Sequence, residues 1–256
     1  MNNKFIIIII FSLISLFFLE SIIAISPSGG EIIGIKNETA PSGSPTSAQA
    51  VAGNVTELNI FGFSTTQTWQ GYFGNISGTI QLADGSGRAM YNWSATNPEG
   101  EVFASLNDSL IWTNLACFNF SSDGSFTDDS LQSGNTSLYG MNLTQLESDF
   151  GIEPNDVDGV NETFIFQDHP LFYVNNLMFS QGECRNTRIY NSTGQGAFDE
   201  VLLYSPDNRA VVFASILRDN AIGFDGREYD FEMLVLEDGH GEDVSTSTYY
   251  FYLELE

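Results

Sequence analysis

Residues 65–93 read TTQTWQGYFGNISGTIQLADGSGRAMYNW, and their alternation decides the fold class. From Asn75 to Leu82, Ile76, Gly78, Ile80 and Leu82 fall on one parity; Asn75, Ser77, Thr79 and Gln81 fall on the other. Successive strand side chains point to opposite faces, so the pattern predicts a half-buried strand with one wet face. Asp84-Gly85-Ser86-Gly87 supplies residues that tolerate positive φ, as a hairpin turn requires. Arg88 to Trp93 resumes with Ala89, Tyr91 and Trp93 on one parity. The expectation is a central hairpin with Ile76, Ile80, Leu82 and the aromatics inward and Asn75 outward.

Outward from this stretch, strand signals continue in both directions. They cover 54–61, 68–73, 75–82, 88–93, 101–105, 109–113, 164–166, 171–174, 188–190, 201–204, 210–217, 229–236 and 246–255. The pair 101–105 and 109–113 reads as a hairpin across Leu106-Asn107-Asp108. One short helix is expected over 143–150, capped by Asn142 and ended by Gly151. Short strands separated by turns, without a βαβ rhythm, predict an all-β fold. The expected architecture is a β-sandwich, immunoglobulin-like or jelly-roll-like, over 51–256.

Residues 1–28 read as a signal peptide: Lys4 precedes the apolar run Phe5 to Leu19, and small residues follow from Ser21 to Ser28. An uncleaved anchor is the alternative, since 5–25 approaches spanning length, and it would be the only membrane attachment. Both readings place the folded body outside the cell. Residues 29–50 read as a short apolar strand, 31–35, followed by a Pro/Ser/Thr-rich linker. That strand either tethers to the body or is donated to a neighbour.

Across 256 residues the chain carries 33 acidic and 8 basic side chains, a net charge of −25. No basic stripe exists, which excludes nucleic acid as a partner and disfavours anionic membrane surfaces. The acidity confers solubility, or fits cation binding or an acidic or saline habitat. Cys117 and Cys184 are the two cysteines, and in a secreted chain they are expected to pair.

Ten N-x-S/T sequons occur, at Asn37, Asn54, Asn75, Asn92, Asn107, Asn119, Asn135, Asn142, Asn161 and Asn191. Chance placement would give far fewer, so N-glycosylation at several of them is expected. A dense glycan coat would shield strand edges from aggregation.

Catalytic chemistry is not legible. Asn155-Asp156-Val157-Asp158-Gly159 resembles the centre of a calcium loop, but the flanking ligand positions fall on Pro154 and Ile165, which offer no side-chain oxygen. A turn, or a looser calcium site, remains. Asp168-His169 places a histidine beside a carboxylate without any nucleophile motif to support a triad. His240 sits in a Gly-rich acidic turn and reads as a solvated loop residue. Trp69, Trp93 and Trp112 suit core filling better than a sugar platform. Asp230 and Glu232 occupy the polar parity of their strand. No catalytic, cofactor or metal residue is assigned, and the chain is read as a non-enzyme.

The opening stretch and residues 224–256, FDGREYDFEMLVLEDGHG followed after three residues by STSTYYFYLELE, resemble segments of secreted archaeal β-rich surface glycoproteins of uncharacterised function. The resemblance implies an extracellular β-rich body and no activity. In layout the chain is also similar to archaeal filament subunits that assemble by strand donation. The expected function is thus an extracellular, N-glycosylated structural or adhesion protein that self-associates or binds other surface proteins. The alternative is a secreted carbohydrate-binding or carbohydrate-active protein.

Overall fold

The computed structural model describes residues 26–95, 97–120, 141–240 and 245–256. The signal or anchor segment and Asn135 lie outside the described residues. In chain order the strands are β1 (Ser28–Gly29), β2 (Trp69–Gly74), β3 (Gly78–Ala83), β4 (Ala89–Ala95), β5 (Gly100–Ser105), β6 (Ala116–Cys117), β7 (Phe172–Val174) and β8 (Leu177–Phe179). They continue as β9 (Asn186–Tyr190), β10 (Gly196–Ser205), β11 (Ala210–Ile216), β12 (Ala221–Ile222), β13 (Glu228–Tyr229), β14 (Phe231–Leu236) and β15 (Tyr250–Leu255). Among the described residues there are two short α-helices, α1 (Leu143–Asp149) and α2 (Val160–Thr163). No helix among the described residues is long and apolar enough to cross a membrane.

The chain folds as an all-β sandwich. Its principal sheet is antiparallel, in the order β1-β15-β5-β11-β10-β6, with β9 also paired to β10. Strands β10 and β11 are apolar on both parities, the pattern of strands covered on both faces. On one face Val102, Ala104, Leu202, Tyr204 and Phe213 pack against Met233, Val235 and Leu236 of β14 and against Leu146, Val160 and Phe164. On the other, Phe103, Val201, Leu203, Val212 and Ala214 pack against Phe172, Val174 and Phe179 of the β7–β8 hairpin and against Trp112. Fully burying one such side chain contributes about 1.5–3 kcal/mol, so the double cover concentrates stability in β5, β10 and β11.

Strand β14 pairs with β2 over Leu236↔Trp69 to Phe231↔Gly74. Its other edge is satisfied from the principal sheet by side chains. Ser215 Oγ donates to the Glu232 carbonyl at 2.8 Å, and the Leu234 N–H donates to Glu200 Oε2 at 2.8 Å. Here a buried glutamate and serine replace a neighbouring strand, because an unpaired buried main-chain group costs as much as a lost hydrogen bond.

Helix α1 follows its sequence signals. The Asn142 side chain accepts from the Gln145 N–H at 2.9 Å, and Gly151 follows with φ 67°. Helix α2 lacks a capping side chain of its own. Glu147 of α1 reaches across to accept from the Val160 and Asn161 N–H groups. This tertiary cap leaves no local signature, which is why one helix and not two is expected from the sequence.

Cys117, at the end of β6, is bonded to Cys184. In the chain-entropy model a loop of this length contributes about 4 kcal/mol. His169 is buried beside the bridge, with Nδ1 2.7 Å from the Pro170 carbonyl and Nε2 accepting from the Cys184 N–H at 3.0 Å. Both ring nitrogens are occupied by main chain, so this histidine positions the loop of the disulfide.

Three strand expectations fail. Residues 54–61 form no ladder, and Val55, Leu58, Ile60 and Phe61 are exposed, because no strand among the described residues pairs with them. Residues 109–113 do not pair with β5. The Ile111 N–H is taken by Asn208 Oδ1 at 2.7 Å, and Trp112 opens a 3₁₀ turn that wedges its ring between Phe103 and Tyr252. Residues 164–166 make only an isolated bridge, Phe166 with Asn186.

The opening hairpin exists but is not central. Among the described residues strands β3 and β4 pair only with each other. Asn75 is exposed as expected and Ile76 packs at the core edge, but Ile80, Leu82, Tyr91 and Trp93 are exposed. Among the described residues no second layer covers this face of the ribbon.

Candidate functional site

The β3–β4 hairpin begins from a tight anchor. The Ile76 N–H donates to Asp230 Oδ2 at 2.7 Å. Gly78 lies close to Leu255, so that a Cβ there would sit 2.7 Å from Cδ1 and the leucine side chain would have to shift. Beyond the anchor, Ile80 pairs with Trp93 and Leu82 with Tyr91, on one face of the ribbon. The Tyr91 and Trp93 ring centroids are 4.8 Å apart. Gln81 pairs with Asn92 and Thr79 with Ser94 on the opposite face. At the tip, Asp84 Oδ1 accepts from the Ser86 and Arg88 N–H groups, and its other oxygen pairs with the Arg88 guanidinium. Arg88 therefore holds the Asp84 carboxyl below its usual range. The result is a ribbon with an uncovered apolar face and a sequon, Asn92, on its back.

At the foot of the hairpin lies an acidic cleft of about 320 Å³, lined among others by Glu99, Glu101, Leu171, Tyr173, Arg218 and Glu256. Leu255 links the two features, since it touches Gly78 and precedes Glu256. Glu101 of β5 stands directly across from Glu254 of β15. Both Glu254 oxygens accept from the Asn175 N–H, at 3.0 and 2.9 Å. Burial pushes the Glu101 carboxyl up to about 9, with the Glu256 and Glu254 charges adding to it. Arg218 contributes no charge pair to these glutamates, because its guanidinium is bonded to Asp199 at 2.8 Å.

Asp230 and Glu232 are buried rather than displayed on a polar face. Asp230 accepts from the Ile76 and Asn220 N–H groups, and Glu232 Oε1 from the Phe224 N–H at 2.9 Å. Period-two alternation identified the face, but not that main-chain amides from the β2–β3 connection and the β12 region would crowd onto it. Trp112 is buried and Trp69 half-buried, with its Nε1–H donating to the Asp158 carbonyl at 2.6 Å. Trp93 departs from the core-filling expectation. His240 is half-buried, 3.3 Å from Asp238. Among the described residues no group of three or more His, Cys, Asp or Glu is placed to hold a metal ion.

The sequon asparagines fall into two groups. Asn37, Asn54, Asn75 and Asn92 are exposed; Asn107, Asn119, Asn142, Asn161 and Asn191 are half-buried. Asn161 donates to Glu162 and accepts from Arg185, and Asn191 Oδ1 accepts from the Thr193 and Gln195 N–H groups and the Thr193 hydroxyl.

The last feature is an arm. The chain leaves the β15 edge after Gly29 and rejoins the body near Thr66, whose Oγ1 donates to Asp158. Between them Ile32, Ile33, Ile35, Val51, Val55, Leu58, Ile60, Phe61 and Phe63 are all exposed. Comparison with protein-family models, with curated proteins and with solved structures yields no match to this chain.

Proposed function

We propose that the protein is an extracellular, N-glycosylated cell-surface component, structural or adhesive, that assembles into filaments by strand donation. The observation that carries this reading is the arm. Nine large apolar side chains stand in water on two stretches, 32–35 and 51–63, either side of a Pro/Ser/Thr-rich linker, and neither stretch pairs with a strand among the described residues. Isolated apolar residues on a surface are ordinary, whereas a contiguous uncovered set marks an interaction segment. The β15 edge offers a complementary vacancy. It is paired at Ser28↔Leu253 and Gly29↔Tyr252, and continuing that register would set Ile32 opposite Tyr249. Main-chain pairing with a neighbour's edge gives affinity, and alternate side chains give specificity. Exposed sequons on the arm and hairpin fit a body facing the outside of the cell. Deleting residues 31–36 is expected to abolish polymers seen by electron microscopy while leaving a folded monomer by circular dichroism. Polymers that survive the deletion, or native protein that never polymerises, would sink the strand-donation version.

A second reading, a secreted carbohydrate-binding or carbohydrate-active protein, is favoured by two separate features, the exposed Tyr91–Trp93 pair and the acidic cleft. Aromatic faces pack against sugar rings, and carboxylates accept from hydroxyls. Titration with a panel of oligosaccharides, wild type against Trp93→Ala, separates the readings: no saccharide bound by the wild type removes this one.

A further inference from the structure

Three buried glutamates share one unusual arrangement. Glu101, Glu200 and Glu232 are 3%, 0% and 2% exposed. One carboxyl oxygen of each accepts a main-chain N–H: from Tyr173 for Glu101, from Leu234 for Glu200 and from Phe224 for Glu232. The other oxygen, Oε2 of Glu101, Oε1 of Glu200 and Oε2 of Glu232, is buried with no hydrogen-bond partner. Neighbouring carboxylates are built differently. Asp199 has Asn186 and Arg218 on its two oxygens, and Asp230 has Ile76 and Asn220. Those are the surroundings an anion needs. A buried anion with a bare oxygen and no cation is far costlier than a neutral acid in the same place.

The surrounding charges point the same way. Glu101 faces Glu254 across the β5–β15 ladder and shares its cleft with Glu99, Glu256 and Arg218, the last committed to Asp199. Glu200 lies between Thr187 and Ser215 in the sheet, beneath β14, with the Tyr249 hydroxyl its titratable neighbour. Glu232 has Asp225 and Tyr229 beside it and Phe73 opposite. Among the described residues no ion pair reaches any of the three.

We propose that Glu101, Glu200 and Glu232 are carried as neutral carboxylic acids in the folded protein, so that the fold is strongest in acid and loosens as its surroundings become neutral to alkaline. Burial raises all three from the ordinary value of 4.5, Glu101 to about 9 and Glu200 well above the usual range. In the unfolded chain the same groups ionise near their ordinary value. Between the two values the folded state holds more protons than the unfolded one, so rising pH favours unfolding. For Glu101 this contribution is complete below about pH 4.5 and is lost progressively toward pH 9, and Glu200 and Glu232 act in the same direction. The device is independent of filament assembly and would suit a protein that stands in acidic surroundings.

Urea unfolding of the monomer at pH 5, 6, 7 and 8, in about 1 M salt to screen surface repulsion, tests it. The folded-to-unfolded ratio is expected to fall about tenfold per pH unit for each retained proton. Glu101→Gln, which mimics the neutral acid, is expected to remove about one tenfold step per unit from that slope. Glu57→Gln, at an exposed glutamate of the arm, is expected to leave the slope unchanged. A ratio that is flat or rises from pH 5 to 8, an unaltered slope in Glu101→Gln, or equal flattening by Glu57→Gln overturns the proposal. Should Glu101→Gln fail to fold, the infrared carbonyl band of protonated carboxyl groups in the wild type at pH 7 decides. Its presence supports the assignment and its absence overturns it.

Discussion

Strands β3 and β4 form an antiparallel hairpin, and so do β10 and β11. Both pairs are rich in β-branched, leucine and aromatic residues. They end up in opposite environments. Val201, Leu202, Leu203, Val212 and Ala214 are fully buried, while Leu82, Tyr91 and Trp93 are each more than half exposed. The difference lies in what is stacked on them. The β10–β11 pair has the β2–β14 ribbon on one face and the β7–β8 hairpin on the other. The β3–β4 pair has neither. Alternation sorts side chains onto faces; only a second layer removes a face from water. Among the described residues the apolar face of this hairpin has no second layer, which is why its side chains stay in water.

That contrast can be broken experimentally at several strengths. Phe213→Ala, in the twice-covered sheet, is expected to cost about 3–5 kcal/mol, read from urea unfolding of the monomer. A loss below 1 kcal/mol would mean that the second layer over β11 is not in place. Replacing Cys117 and Cys184 together by serine is expected to cost about 4 kcal/mol, because it frees the long loop that carries the β7–β8 cover. Asn142→Ala removes the N-cap of α1 and is expected to cost about 1 kcal/mol, measured on protein from a host that does not glycosylate. Leu82→Ser and Trp93→Ser are expected to change monomer stability by less than about 0.5 kcal/mol, since they remove nothing from a core. If either hairpin variant costs as much as Phe213→Ala, the hairpin is covered in solution and the contrast disappears.

Much of the central sheet was legible. The apolar runs over 201–204 and 210–217, the paired strand over 101–105 and the Asn142-capped helix all appear where their residues predict them. The observed elements are β10, β11, β5 and α1. Local chemistry suffices for these, because their side-chain pattern and turn residues agree with their final environment. The Cys117–Cys184 bridge was accessible by elimination, with only two thiols in the chain. What escaped were features made by distant residues meeting. Glu147 caps α2 from another helix. Asn208 holds Ile111 out of a ladder. Glu200 and Ser215 stand in for the missing neighbour of β14. The acidic cleft was equally hidden, since Glu99, Glu101, Tyr173 and Glu256 come from separated parts of the chain.

By itself the sequence determined that this chain is all-β, acidic, dense in glycosylation sequons and equipped with one pair of cysteines, because composition, period-two alternation and turn residues are local properties. Tertiary structure alone decided which apolar faces are covered. It buried Glu101, Glu200 and Glu232 against main-chain amides, and it left the hairpin and the arm in water. Coverage is a relation between segments far apart in the chain, and no local pattern encodes whether the partner arrives.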